Sequence, residues 1–240
     1  MDKYYIEYII PTHNVILCEK IEFNLDSKSV HLADIKQRDQ NSLFLKFYFD
    51  NEIDFDDGIE ETRQQLNNIL NTIAFNYTGA SIRDAYYSGE SNLKNAECYN
   101  GLDSCIIVRR QDLEDKLAKA LSSNTKYEHR YYEMFRLAVQ STDVVNKYMF
   151  LYQILLDIYG PAQWKTDECI TCIGKRLGIN SEFKKWQENR KYDGETKFTF
   201  IRNQVGHVIE GHTPQSTTKD MFDNLNELES LVKYAISEKQ

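Results

Sequence analysis

The hydrophobic pattern of this 240-residue chain changes period once, and that change limits the architecture more than any other feature. In the first fifty residues the side chains alternate with the period of two that places a strand's neighbours on opposite faces. Lys3–Ile10 alternates with Tyr and Ile. Ile16–Leu25 sets Leu17, Ile21, Phe23 and Leu25 against Ile16, Cys18, Lys20 and Glu22, and Leu43–Phe49 is aromatic and β-prone. Gly58–Ala74 then turns helical, with Ile59, Leu66, Ile69, Leu70 and Ile73 near a 3.6-residue period. Residues 75–110 fit no single period; Gly79, Gly89 and Gly101 punctuate them and Ser104–Val108 reads as one more strand. A short helix over Gln111–Leu121 runs into Ser-Ser-Asn-Thr, a natural boundary.

From Tyr127 onward the pattern is helical throughout. Glu128–Gln140 reads as one helix, and Ser141-Thr142-Asp143 offers cap chemistry for a second that stops at Gly160-Pro161. A third region spans Asp167–Lys191 with a break near Gly178. A fourth helix, about Glu195–Glu210, ends at Gly211 and Pro214. The last starts at Ser216-Thr217-Thr218 and carries Phe222, Leu225, Leu228, Val232, Ala235 and Ile236 on one stripe. Helices joined by short connections pack as a bundle. The expected class is α+β, with a mixed α+β domain over residues 1–122 and an all-α bundle over 123–240.

Three Pro and 10 Gly against 16 Tyr and 12 Phe argue against collagen-like or low-complexity structure. No apolar run approaches the roughly 20 residues needed to span a bilayer, and the N-terminus lacks a signal-peptide pattern, so no membrane association is expected. Five Cys at irregular spacing fit reduced thiols of a cytoplasmic protein better than a disulfide framework. Residues 1–120 hold 13 Lys/Arg and 21 Asp/Glu, whereas residues 121–240 hold 16 of each, so the first half carries the whole net charge of −8. The second half also contains a basic run, with Lys175, Arg176, Lys184, Lys185, Arg190 and Lys191 against Glu182 and Glu188. Lys184, Lys185, Arg190 and Lys191 are the candidate contacts for a polyanion; a solvated helix face gives the same pattern.

One string carries chemistry. On a helical wheel, Phe198, Ile201, Val205 and Val208 form an apolar stripe, and Arg202 and His207 flank a polar arc whose intervening residue, Gly206, has no side chain. Asn203 and His207 stand four apart, on one face. A permanent cation, an imidazole that titrates near neutrality and an amide around a glycine notch suit a phosphodiester. The string Arg-Asn, three residues, His, on the polar face of the penultimate helix of a bundle, resembles the signature of the HEPN superfamily. Residues 127–238 are similar to bacterial HEPN proteins described as Apea-like or methylamine-utilisation-J-like. Residues 1–120 resemble no family.

The resemblance implies a HEPN-like bundle that pairs as a homodimer and cleaves RNA without a metal or other cofactor, at a composite site to which each copy gives one Arg–His set. Arg202 would hold the scissile phosphate, His207 would serve as general acid–base, and Asn203 would orient His207 or bind a phosphate oxygen. Asp157 is the candidate for an acidic residue on an earlier helix that contacts the motif, ahead of Asp143. A toxin or antiphage effector held by an antitoxin or regulatory partner fits such a protein. Two alternatives stay open, a non-catalytic HEPN-like module for RNA binding or dimerisation, and an accidental motif on an ordinary amphipathic helix. Cys169-Ile-Thr-Cys172 is a lone CxxC without a second ligand pair, so it reads as packing rather than zinc. His212, just past the helix, reads as a cap on helix carbonyls.

Overall fold

The computed structural model describes residues 4–13, 15–27, 29–77, 81–96, 111–122, 130–160, 162–181, 194–206 and 213–239. It divides into two compact units, Met1–Val139 and Gln140–Gln240. Six strands, β1 (Tyr4–His13), β2 (Ile21–Asn24), β3 (Val30–Asp39), β4 (Ser42–Phe49), β5 (Ser81–Ile82) and β6 (Tyr86–Ser91), make one sheet in the first unit. The order is β2-β3-β4-β1, and β5 and β6 share the far edge of β1; all these pairings are antiparallel.

The register sorts the residues into two unlike faces. Ile6 pairs with Phe47, Tyr8 with Leu45 and Ile10 with Leu43, and all six are buried. Helix α1 (Phe55–Asn76) lies against that face: the Tyr8 hydroxyl is 2.7 Å from the Thr62 hydroxyl, and Ile69, Leu70 and Ile73 are buried. A Cβ at Gly58 would come 2.5 Å from Cδ1 of Leu93, just past β6, and 3.6 Å from Cζ of Phe49 in β4. Asp54 starts the helix by accepting from the Asp56 N–H, so the acidic stretch Asn51-Glu-Ile-Asp-Phe-Asp-Asp57 leads into a helix N-terminus. The other face carries a charged row of cross-strand partners, Glu22–Asp34–Lys46–Glu7. Glu7 is only 2% exposed; burial raises its carboxyl pKa, while Lys46, 3.3 Å away and seated over the Tyr5 ring, pulls it back down.

Two more helices complete this unit, α2 (Gln111–Ser122) and α3 (Arg130–Gln140). The sequence groups α3 with the bundle, after a boundary at 122, whereas the division of the chain falls at its C-terminal end. The physical reason is its contacts. Phe75 of α1 meets Tyr132 and Phe135 edge-on at 4.9 and 5.6 Å, and Arg136 reaches Asp84 at 3.0 Å.

The second unit is a run of helices, α4 (Val144–Tyr159), α5 (Gln163–Leu177), α6 (Lys197–Gly206) and α7 (Pro214–Ser237), forming a C-terminal bundle on an α+β protein. Its core holds Tyr148, Leu151, Leu155, Ile170, Phe198, Met221, Leu228 and Val232. Asp143 caps α4 by accepting from the Asn146 N–H at 2.7 Å. Gly178, at φ +70°, ends α5 in the left-handed conformation that glycine adopts without strain. The last helix starts earlier than its sequence suggests: Thr213 and Ser216 form a reciprocal capping box and Pro214 opens the first turn, so that proline begins a helix rather than ending one. Among the described residues no helix is long and apolar enough to cross a membrane.

Candidate functional site

Helix α6 rotates away from the orientation a simple apolar stripe predicts. Phe198, Thr199, Phe200, Ile201 and Gln204 are buried, and Val205, expected in the stripe, is 46% exposed. Two polar side chains outcompete it because the interior supplies their partners. Gln204 Oε1 accepts from the Thr217 hydroxyl at 2.8 Å, and Thr199 enters a network below the helix.

That network is built on Asp167 of α5, 1% exposed. Its Oδ1 accepts from the Thr196 N–H at 3.0 Å, the Thr196 hydroxyl at 2.7 Å and the Thr199 hydroxyl at 2.5 Å. Thr199 has one proton and gives it to Asp167, so the Tyr152 hydroxyl, 2.5 Å from Thr199 Oγ1, must donate to it. Burial pushes the Asp167 carboxyl up to about 6 despite these three donors, which lower it, and the charge of Glu195 raises it further. Its other oxygen, Oδ2, is buried without a hydrogen-bond partner.

Arg202 stands on the half-buried flank of α6, its guanidinium 5.6 Å from the centre of the Tyr152 ring. Its Nη1 donates to Asn203 Oδ1 at 2.9 Å, and Asn203 Nδ2 donates in turn to Glu195 Oε1, also at 2.9 Å. Glu195 is 4% exposed and also accepts from Gln163 Nε2 at 3.5 Å. Among the described residues Arg202 forms no ion pair: its charge is steered by an amide and a ring, neither of which neutralises it.

No protein-family model, no curated protein and no solved structure matches the chain.

Of the residues singled out in the sequence, the structure brings Arg202 and Asn203 together and occupies both ends of the Asn203 amide. Asp157 lies on the exposed side of α4, and the α4 side chains that bond to α6 are Tyr152, at Thr199, and Tyr148, whose hydroxyl donates to the Phe198 carbonyl at 3.0 Å. Asp143 is the cap of α4. His207, His212, Lys184, Lys185, Arg190 and Lys191 lie outside the described residues. Arg176, from the start of the basic run, is engaged by Glu238 and by the Tyr234 hydroxyl, both at 2.8 Å. Cys169 and Cys172 are free thiols, and among the described residues no three His, Cys, Asp or Glu side chains converge as metal ligands would. Sequence reasoning missed Asp167, Glu195, Thr196, Thr199 and Tyr152. One signal was present, since Asp167 precedes the buried Ile170 and Ile173 at core spacing and so occupies a position apolar residues usually fill.

Proposed function

We propose that the helical unit is a metal-independent endoribonuclease that works as a pair of chains. The observation that carries this reading is the Arg202 guanidinium, oriented by Asn203 and the Tyr152 ring yet left with its full charge, five residues before His207 in sequence. The resemblance of Arg202-Asn203…His207 to the HEPN signature supports it. Arg202 binds the non-bridging oxygens of the scissile phosphate and stabilises the charge that grows on them. One His207 takes the proton of the 2′-hydroxyl as that oxygen attacks phosphorus, and a protonated His207 gives a proton to the departing 5′-oxygen. The P–O5′ bond breaks, leaving a 2′,3′-cyclic phosphate and a 5′-hydroxyl.

Charge favours the second unit as the surface for RNA. In the first unit, a groove between the β2–β3 connection and the start of α1 is lined by Asp26, Asp57, Glu60 and Glu61, which repel phosphates. Lys184, Lys185, Arg190 and Lys191 belong to the second half of the chain and are assigned here to the RNA backbone. The test is cleavage of RNA by the full chain in EDTA. Wild type yields cyclic-phosphate ends, and Arg202→Ala and His207→Ala each abolish them while circular dichroism stays unchanged. Binding of RNA without cleavage by wild type would instead favour the non-catalytic module, and cleavage that survives both substitutions refutes the site.

A further inference from the structure

The chain Glu195–Asn203–Arg202 has a direction. A carboxylate only accepts hydrogen bonds and a guanidinium only donates them, whereas an amide does one at each end. With Glu195 Oε1 taking Nδ2, Asn203 can turn only its oxygen toward Arg202. Without that acceptor the amide is free to flip, and an NH2 group facing Nη1 would push the guanidinium away. The carboxylate is buried and precedes α6 on a segment tied by the Asp167–Thr196 bonds, so its position is set by the fold rather than by solvent.

We propose that Glu195 is a positioning residue for Arg202: it fixes the Asn203 amide, and through that amide the direction of the guanidinium, without pairing with the cation itself. A direct carboxylate partner would hold Arg202 more tightly but would cancel the charge a phosphate has to meet. The neutral amide between them transmits orientation and leaves the charge free. This role deepens the ribonuclease reading and rests on Arg202 being the group that binds phosphate.

The experiment follows the Arg202 side chain directly, by 15N NMR of the full chain, with its Nε–Hε signal assigned through its loss in Arg202→Ala. Glu195→Ala is expected to move that signal to the position of a freely exposed arginine. Glu195→Gln, whose carbonyl oxygen still accepts from Asn203, is expected to return it. RNA cleavage should fall about tenfold to a hundredfold in Glu195→Ala, the scale of a small misplacement of a binding group, and recover in Glu195→Gln. If Glu195→Ala fails to fold, Asn203→Ser breaks the same chain from the exposed side and should shift the signal equally. An Arg202 signal identical to wild type in the folded variants overturns the proposal. Should wild type cleave no RNA while the signal still shifts and recovers, the positioning role stands and the ribonuclease reading falls.

Discussion

Asp167 offers a pH signature whose size follows from its surroundings. In the unfolded chain its carboxyl titrates at the ordinary 3.8, and burial raises it to about 6 in the folded protein. Between those values the folded state holds a proton that the unfolded state has lost, so this group's contribution to stability falls as pH rises. The full difference, 6 minus 3.8, corresponds to about 3 kcal/mol at 1.36 kcal/mol per unit. Roughly 2 kcal/mol of it is developed between about pH 4.5 and about 7.5, the range in which most folded proteins can be compared. Asp167→Asn removes the titration but keeps a carbonyl oxygen in the place of Oδ1, where the three donors converge. The new NH2 replaces the unpartnered Oδ2 and costs about 1–3 kcal/mol, but equally at every pH.

The quantity to measure is therefore the difference in unfolding free energy between wild type and Asp167→Asn as a function of pH. Both tryptophans, Trp164 and Trp186, belong to the Gln140–Gln240 unit, so urea denaturation followed by tryptophan fluorescence reports that unit alone. Wild type should lose about 2 kcal/mol relative to the variant on going from about pH 4.5 to about 7.5, with the steepest change near about pH 5 and a levelling-off above about pH 6. A difference that stays flat across that range would falsify the assignment of a raised carboxyl to Asp167.

Two further outcomes follow from other contacts. Lys46→Met strands the buried Glu7 carboxylate and should destabilise the sheet unit by about 3 kcal/mol near neutral pH, read by far-UV circular dichroism in urea; the deficit should shrink as acid protonates Glu7. Tyr152→Phe removes the donor to Thr199 but keeps the ring beside Arg202, so it should cost about 1 kcal/mol of stability and leave the Arg202 Nε–Hε signal in place, whereas Tyr152→Leu should move that signal.

What the sequence revealed of the fold depended on how one-sided each element is. β4 and α4 bury periodic sets and were legible, as were β1 and α1 from their apolar spacing, although β1 is buried without a break over residues 6–10 and α1 over residues 69–74; the Asp143 cap was legible too. β3 was not, because His31, Asp34, Lys36, Arg38 and Asp39 crowd its ten residues and conceal the buried Val30, Ala33 and Ile35; the charged row on the sheet's second face explains why those charges are tolerated. Pro214 misled because a proline marks a helix end and a helix start alike, and only the Thr213–Ser216 box separates the two. Within the site, Arg202 and Asn203 could be found because their types and spacing are local. Asp167 showed only as an acid at core spacing and Glu195 not at all, since their roles come from partners 29 residues away at Thr196 and 8 residues away at Asn203, contacts that the packed bundle creates.

The two buried acids divide their tasks by what they are allowed to touch. Asp167 spends its hydrogen bonds on the backbone and hydroxyls at the start of α6, which anchors the helix. Glu195 accepts from two amides, Gln163 and Asn203, the second of which faces Arg202. Had either carboxylate met the guanidinium, the ion pair would have been partly desolvated and hard to open, and an incoming phosphate would have had to break it before binding. Thr199 with Tyr152 on one side and Asn203 on the other stand between these acids and the guanidinium, which removes that competition. The amide therefore sets the direction of the guanidinium without an ion pair among the described residues, and this is the feature on which the anion-binding role proposed for Arg202 rests.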